Sequence, residues 1–238
     1  MNIPTLGGLI DRRMLINFSL DKEVLIHYLP SPFRPVLVNG RGIAGICLIR
    51  LKHIRPKGFP EGVGIGSENA AHRIAVEWTE DSQVKQGVYI PRRDTSSLLN
   101  HWAGGTLFPG IHHLAQFDVA EGNKKYKLSM KSDDGNSLSV EASETEQFPT
   151  SSVFRSLEQA SAFFKAGAVG FSPNKKNYDG LELRTDIWKV SSLNISRITS
   201  SFFENESVFP KGSVVFDNAL LMRDIPHTWH NYMGCPGI

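Results

Sequence analysis

The sequence lacks the features that mark several large classes of protein. It has two cysteines, Cys47 and Cys235, in 238 residues, too few for the disulfide framework of a small secreted domain. No apolar run is long enough to span a bilayer, and the N-terminal segment has no basic region followed by an apolar stretch. We therefore expect no signal peptide, a cytoplasmic location and no membrane partner.

A strong excess of charge of either sign is also missing. The formal net charge is +2, and the basic residues are scattered among acidic ones rather than gathered along a face. This balance argues against nucleic acid as a partner. The chain is long enough to bury a large core without crosslinks, and no linker or internal repeat divides it. We predict one domain over residues 1–238.

Period-two alternation of apolar and polar residues is the dominant local pattern, and it predicts strands. It is clearest in the segments GIAGICLIRL, HRIAVEW, KYKLSM, SLSVEAS and GSVVFDNALLM. Asp134-Gly135 lies between the third and fourth of these and is typical of a hairpin turn. Because each of those two strands has an apolar and a polar face, an antiparallel sheet is expected.

Helices are predicted at only three places. Asp21 is placed to cap a helix that Pro30 stops, and a short helix SLLNHW follows capping residues 94–97. Ser156 and Gln159 form a capping-box pattern ahead of an apolar helical run ending at Gly167. With no strand–helix–strand alternation, the fold class is α+β, mainly β: a large antiparallel sheet with a few outer helices.

Several kinds of functional motif are missing. Gly62–Ser67, GVGIGS, has the wrong glycine spacing for a phosphate loop and no following Lys-Ser or Lys-Thr, so we expect a flexible loop there. There is no G-x-S-x-G elbow, and Cys47 lies in an apolar run typical of the core. His227 and His230 have no further ligand at a recognised spacing. We expect no metal and no cofactor.

The first candidate site is the pair Arg92 and Arg93, which follows a strand ending at Pro91. Paired guanidinium groups bind carboxylate or phosphate through two parallel hydrogen bonds. The alternative is a salt-bridged corner in which Asp94 neutralises the pair. The sequence favours neither interpretation.

The second candidate is the segment AGGTLFPGIHHLA, residues 103–115. Its glycines allow the backbone to pass close to a ligand before a strand begins. The strand starts with His112 and His113, whose ring nitrogens titrate near neutrality and suit proton transfer. Adjacent residues of a strand face opposite ways, so one of the two is expected to face inward. The alternative is a histidine with a structural role alone.

The order YIP, Asp94, AGG, LFPG and HHLA resembles a stretch of the acetoacetate decarboxylase superfamily. Ala103-Gly104 match its Ala-Gly, Phe108 its aromatic residue, and Leu114-Ala115 the residues after its lysine pair. IPRRDTSS, FPGIHH, VFRSLEQASAFFKAG and FDNALLMRDIPHTWH resemble one branch over nearly the whole chain. That branch is an uncharacterised bacterial family described as acetoacetate-decarboxylase-like.

The resemblance implies a cone or barrel-like sheet that encloses a pocket for a small organic acid or ketone, and a homo-oligomer. It does not transfer the mechanism. The decarboxylases form a Schiff base on the first lysine of a pair, and that position matches His112 here. The arginine that binds the substrate carboxylate falls on Ser19. Lys52 and Lys165 are the remaining candidates for an amine.

Two functions follow from these residues. One is a lyase- or isomerase-type enzyme that moves a proton on a small keto or carboxylic acid without a Schiff base. The other is a non-catalytic module that binds such a molecule. The predicted catalytic residues are His112 and His113 with Glu68 and Glu77, and the predicted ligand-binding residues are Arg73, Arg92, Arg93 and Phe108.

Overall fold

The computed structural model describes residues 5–60, 62, 64–102, 110–174, 177–232 and 234, so Phe108 and Cys235 lie outside the described residues. Most of the described chain is strand, as the alternation predicted. The strands are β1 Leu6–Leu20, β2 Arg34–Pro35, β3 Leu37–Val38, β4 Arg41–Pro56, β5 Ile65–Glu80, β6 Gln83–Thr95, β7 His112–Gly122, β8 Lys125–Ser132, β9 Ser137–Thr145, β10 Val169–Pro173, β11 Tyr178–Arg184, β12 Ser191–Ser200 and β13 Val214–Tyr232.

Three helices lie where they were predicted: α1 Lys22–Tyr28, α2 Leu98–Trp102 and α3 Leu157–Ala166. The Ser156 hydroxyl accepts a hydrogen bond from the Gln159 N–H, which confirms the N-terminus of α3. Asp21 precedes α1 but makes no side-chain capping bond. Among the described residues no helix combines the length and hydropathy needed to cross a membrane.

Two local predictions met different outcomes. β8 and β9 form an antiparallel hairpin around Asp134-Gly135, and Gly135 adopts the positive φ of 91° that favours glycine there. The expected loop at residues 62–67 is wrong in its second half, because β5 already begins at Ile65. Ile65 pairs with Ile54 of β4, and pairing to a neighbouring strand overrides the weak strand propensity of glycine.

The sheet forks, and this fork creates the space for a site. Strands β6, β5, β4, β1 and β13 are neighbours in that order. One hydrogen-bonded ring closes from β6 through β7, β8, β9 and β12 to β13, and a second closes from β6 through β10 and β11 to β13. The predicted large, mainly antiparallel sheet is confirmed, with parallel pairing at β6–β7 and β6–β10.

The five shared strands are therefore covered on both faces. Met14 and Ile46 face the main core together with β7–β9 and β12. Leu15 and Cys47, one residue further along each strand, face a second cluster that includes Phe164 of α3. Burial on both faces explains why these strands have nearly continuous apolar runs instead of strict alternation.

Candidate functional site

A cavity of about 380 Å³ lies between the shared strands on one side and α3, β10 and β11 on the other. Its walls are partly apolar, with Ile49, Leu181 and two tryptophans, Trp188 and Trp229. Its polar lining includes four arginines, Arg13, Arg73, Arg93 and Arg184, with Asp186 as the one carboxylate among the described lining residues and the thiol of Cys47.

The strand register explains why these side chains meet. Cys47 pairs with Leu15 of β1 and with Ala71 of β5, and Ala71 pairs with Arg93 of β6. Arg13 and Arg73 lie two residues along β1 and β5 from Leu15 and Ala71. Since residues two apart on a strand share a face, all these side chains project toward α3.

Arg73 is 5% exposed and is held by neutral groups. Its Nη2 donates a hydrogen bond to the Asn17 side-chain oxygen at 2.5 Å, and its guanidinium carbon lies 4.8 Å from the centre of the Phe164 ring. The Nε of Arg73 is buried and makes no hydrogen bond with the described residues.

Arg93 and Arg13 have equally few partners. Arg93 donates from Nε to the Ser172 hydroxyl at 2.9 Å. Arg13 donates from Nε to the Cys47 sulfur at 3.3 Å, and its guanidinium lies 5.9 Å from the Trp188 ring centre. Buried Nη1 of Arg13 has no hydrogen-bond partner in the part of the chain described.

Three of the lining guanidinium groups, those of Arg13, Arg73 and Arg93, contact no carboxylate among the described residues, whereas Arg184 pairs with Glu182. Within the described ranges, none of the three forms an ion pair with a carboxylate, although Asp179 is near enough to act on Arg93 electrostatically. Burial lowers the pKa of Arg73 and of Arg93 from 12.5 to about 10. Both remain charged at neutral pH, and a buried charge that lacks a partner is costly. An anionic ligand would supply the missing partner.

Of the two predicted histidines, the structure places His112 beside Arg93. His112 pairs with Arg93 through the parallel β6–β7 contact, and it lines a small neighbouring cavity of about 60 Å³ that shares Arg93 and Trp229 with the larger one. His113 points to the opposite face, where its Nδ1 lies 3.2 Å from an Asp134 oxygen. Adjacent residues on a strand therefore separate as expected.

Arg92 lies outside the cavity, in the salt-bridged corner that was the alternative interpretation. Its guanidinium binds Asp94 at 2.6 Å and Asp134 at 2.7 Å. His113, Asp133 and Asp134 at this corner stand close enough together to offer one ligand atom each to a metal ion, with both aspartates exposed.

The two predicted glutamates lie elsewhere. Glu68 faces the main-core side of the sheet and forms ion pairs with Arg12 at 2.6 Å and Arg50 at 2.5 Å. Glu77 lies near the start of the β5–β6 hairpin, 3.4 Å from Arg34. The structure therefore brings together Arg73, Arg93 and His112 from the predicted set, and does not add these carboxylates to them.

The candidate amines are also placed differently. Lys165 is exposed at the rim of the cavity, at the end of α3. Lys52 donates to Asp11 at 2.7 Å, and Ser19 is buried. Sequence reasoning missed Arg13. Its assignment of Cys47 to the core is confirmed, because Cys47 is buried in the second cluster, but the sequence did not reveal that the thiol also lines the cavity. The signal for Arg13 was present, because it alternates with Leu15 and Asn17 on a face where a charge is unexpected.

Two larger surface grooves, of about 490 and 580 Å³, are also lined by charged side chains. In the first, Lys127 pairs with Glu141 at 3.3 Å. In the second, Arg184 pairs with Glu182 at 2.6 Å, and Arg55 donates to the backbone oxygens of Phe59 and His53. Because these three cations have acceptors while buried nitrogens of Arg13 and Arg73 have none among the described residues, the smaller cavity is the better candidate site.

Residues 10–216 match the model of the DUF2071 family, described as an uncharacterized conserved protein. The chain belongs to the DUF2071 family. No curated protein sequence matches this DUF2071 chain significantly.

Solved structures share the fold of this DUF2071 protein. Acetoacetate decarboxylase from Legionella pneumophila is 10% identical with a TM-score of 0.64, covering 99% of this chain and 88% of that one. An acetoacetate decarboxylase-like enzyme from Sphingomonas wittichii RW1 is 12% identical with a TM-score of 0.61, covering 100% and 94%. The enduracididine biosynthesis enzyme MppR, solved with pyruvate, is 9% identical with a TM-score of 0.56, covering 99% and 91%. The resemblance seen in the sequence is confirmed at the level of family and fold.

Proposed function

We propose that this DUF2071 protein binds a small organic acid, of the keto or carboxylic class, in the cavity formed by Arg13, Arg73 and Arg93. The observation that carries the proposal is the set of three guanidinium groups without a carboxylate partner among the described residues. A carboxylate accepts two parallel hydrogen bonds from one guanidinium, and the bonds are strong where water is excluded.

The size and walls of the cavity support a small ligand. About 380 Å³ lies at the lower end of the range for small-molecule sites, and the two tryptophans supply apolar contact beside the charges. A structural neighbour, MppR, has been solved with pyruvate, which is a molecule of the proposed class. That comparison supports the ligand class and not a shared reaction.

For chemistry, we propose that His112 is the general acid or base in a lyase- or isomerase-type reaction. It lines the small neighbouring cavity that shares Arg93 with the main one, so a carboxylate bound by Arg93 would bring its neighbouring carbon near the imidazole. An imidazole cannot form the iminium on which the decarboxylase mechanism depends. Lys165 at the exposed rim is the one amine among the described lining residues, and it lies outside the group of arginines.

Binding without catalysis is the second candidate function. It is favoured by the absence of a carboxylate ion-paired to Arg93 and by the placement of Glu68 and Glu77 away from the cavity, among the residues described here. Either function requires the arginines, and only the first requires His112.

Thermal unfolding with added acids tests the binding step. We expect pyruvate or acetoacetate to raise Tm, and the neutral amide of pyruvate to have no effect. Arg93→Met should remove the response, whereas Arg197→Met, at an exposed position on β12, should keep it. An equal response in both variants, or no response to any small acid in the wild type, would refute the proposed site.

Deuterium uptake at the carbon next to the ketone, followed by proton NMR, tests the chemistry. The wild type should exchange the methyl protons of pyruvate faster than the His112→Asn variant, by about 10²–10⁴-fold if the imidazole moves the proton. Equal exchange rates would favour the binding module. Borohydride treatment with pyruvate should leave every lysine unmodified by mass spectrometry, and a lysine adduct would show that a Schiff base forms after all.

A further inference from the structure

Cys47 is a free thiol in an unusual position for a core cysteine. It lies in the middle of β4, 7% exposed, and it lines the same cavity as Arg13, Arg73 and Arg93. The guanidinium of Arg13 donates to its sulfur at 3.3 Å. The thiolate is the nucleophilic form of cysteine.

The register places the sulfur between the two groups that would hold a ligand's carboxylate. Cys47 pairs with Leu15 and Ala71, so Arg13 and Arg73 lie diagonally on either side of it on the same face. Arg73 lines the cavity beside the thiol, and its buried Nε has no hydrogen-bond partner within the described chain. A carboxylate bound by Arg73 would therefore lie on the same face of the sheet as the sulfur.

We propose that Cys47 is the nucleophile of this cavity and adds reversibly to the carbonyl carbon of a bound 2-oxo acid. The S–C bond forms as the π bond of the carbonyl breaks. The electron pair stays on the former carbonyl oxygen, and the thiol proton ends on that oxygen, giving a hemithioketal. No oxidant or leaving group is needed. The inference rests on the proposed function, because the arginines must hold the carboxylate for the carbonyl to meet the sulfur.

Alkylation with a matched pair of reagents tests the thiol independently of any natural ligand. In a Cys235→Ser background, iodoacetate should modify Cys47 about tenfold faster than neutral iodoacetamide, because the guanidinium groups attract the carboxylate. The preference should disappear in the urea-unfolded chain and in Arg73→Met, and persist in Arg197→Met. No preference in the folded protein, or no reaction with either reagent, would overturn the proposal.

Carbon-13 NMR with pyruvate and glyoxylate labelled at the carbonyl carbon tests the adduct. The wild type should show a new signal in the sp³ region that is absent in Cys47→Ser. If Cys47→Ser is still stabilised by pyruvate and neither acid gives an adduct signal with wild type, the thiol proposal fails while the binding proposal stands. If no small acid raises Tm in either protein, the binding proposal itself has failed.

Discussion

Replacing Arg73 by methionine separates a ligand-binding arginine from a structural one. Methionine keeps a long, flexible apolar chain but removes the charge and the hydrogen-bond donors. In most cores, truncating a large buried side chain costs about 2–5 kcal/mol of unfolding free energy. We expect a much smaller effect at this position, because the arginine is itself costly to bury.

The magnitude follows from the contacts of Arg73. Burial lowers its pKa from 12.5 to about 10. This shift corresponds to an unfavourable contribution of about 3 kcal/mol to the folding free energy at neutral pH. This cost is fully present below the folded pKa and is relieved only as pH rises from about 10 to 12.5. The hydrogen bond to Asn17 contributes about 1.5–3 kcal/mol and the contact with Phe164 about 0.5–2 kcal/mol in the other direction. The cost of burying the charge and the gain from these two contacts therefore nearly cancel.

Urea unfolding in a buffer of low anion content measures this balance. The Arg73→Met variant should lie within about 2 kcal/mol of wild type, on either side. Adding pyruvate at about 100 times the dissociation constant should stabilise the wild type by about 2.7 kcal/mol, or about 5–10 °C in Tm for a chain of this size. Losing one charge-assisted bond weakens binding about 10–100-fold, so the response of the variant should be at most about half as large.

The result that would refute this reasoning is a clear one. If Arg73→Met lost more than about 4 kcal/mol in anion-free buffer while pyruvate stabilised it as much as wild type, Arg73 would be a structural residue of the core. The unpaired Nε of Arg73 would then not support the presence of a ligand-binding site. Arg197→Met controls for the general effect of removing one positive charge.

Two further predictions concern the other face of the shared strands. Burial, with a smaller effect of Arg92, lowers the pKa of His72 from 6.5 to about 3, so stability should fall as pH drops below 6.5, by up to about 1.4 kcal/mol per pH unit. His72→Phe, which keeps the ring contact with Phe202, should make the urea unfolding midpoint nearly independent of pH between about pH 6.5 and pH 5. If the variant's midpoint depends on pH as steeply as that of wild type, His72 is not the group responsible. Arg92→Met should cost about 3–5 kcal/mol because it leaves the buried Asp94 without its partner. Pyruvate should raise the Tm of this variant as much as that of wild type. If pyruvate no longer raised it, Arg92 would have to be a ligand-binding residue.

Much of the fold was predictable because it depends on local patterns. Alternating residues identified most strands, Asp134-Gly135 identified the β8–β9 hairpin, and Ser156 with Gln159 identified the start of α3. These signals work because side-chain direction, turn conformation and helix capping are decided within a few residues. The extent of β5 was not predictable, because Ile65 becomes strand only through its pairing with Ile54.

The candidate site was predictable only in part. Paired arginines and paired histidines were recognised as chemistry-bearing, and alternation required that only one member of each pair face a given side. Glu68 and Glu77 were selected from the resemblance, and their ion pairs with Arg12, Arg50 and Arg34 show how nearby cations from other strands can engage them. Such partners are distant in sequence, so no local pattern reveals them.

The amino-acid sequence by itself determined that the chain is mainly β, and its resemblance to the acetoacetate decarboxylases correctly predicted the family and the fold. Only the tertiary structure decided that Arg93 rather than Arg92 lines the cavity together with Arg13, Cys47 and Arg73. It also decided that His112 rather than His113 lies beside Arg93, in the small neighbouring cavity. The physical reason is register. The face of a residue on its own strand is local, but its neighbours across β1, β4, β5 and β6 depend on how a forked sheet closes around two separate interiors.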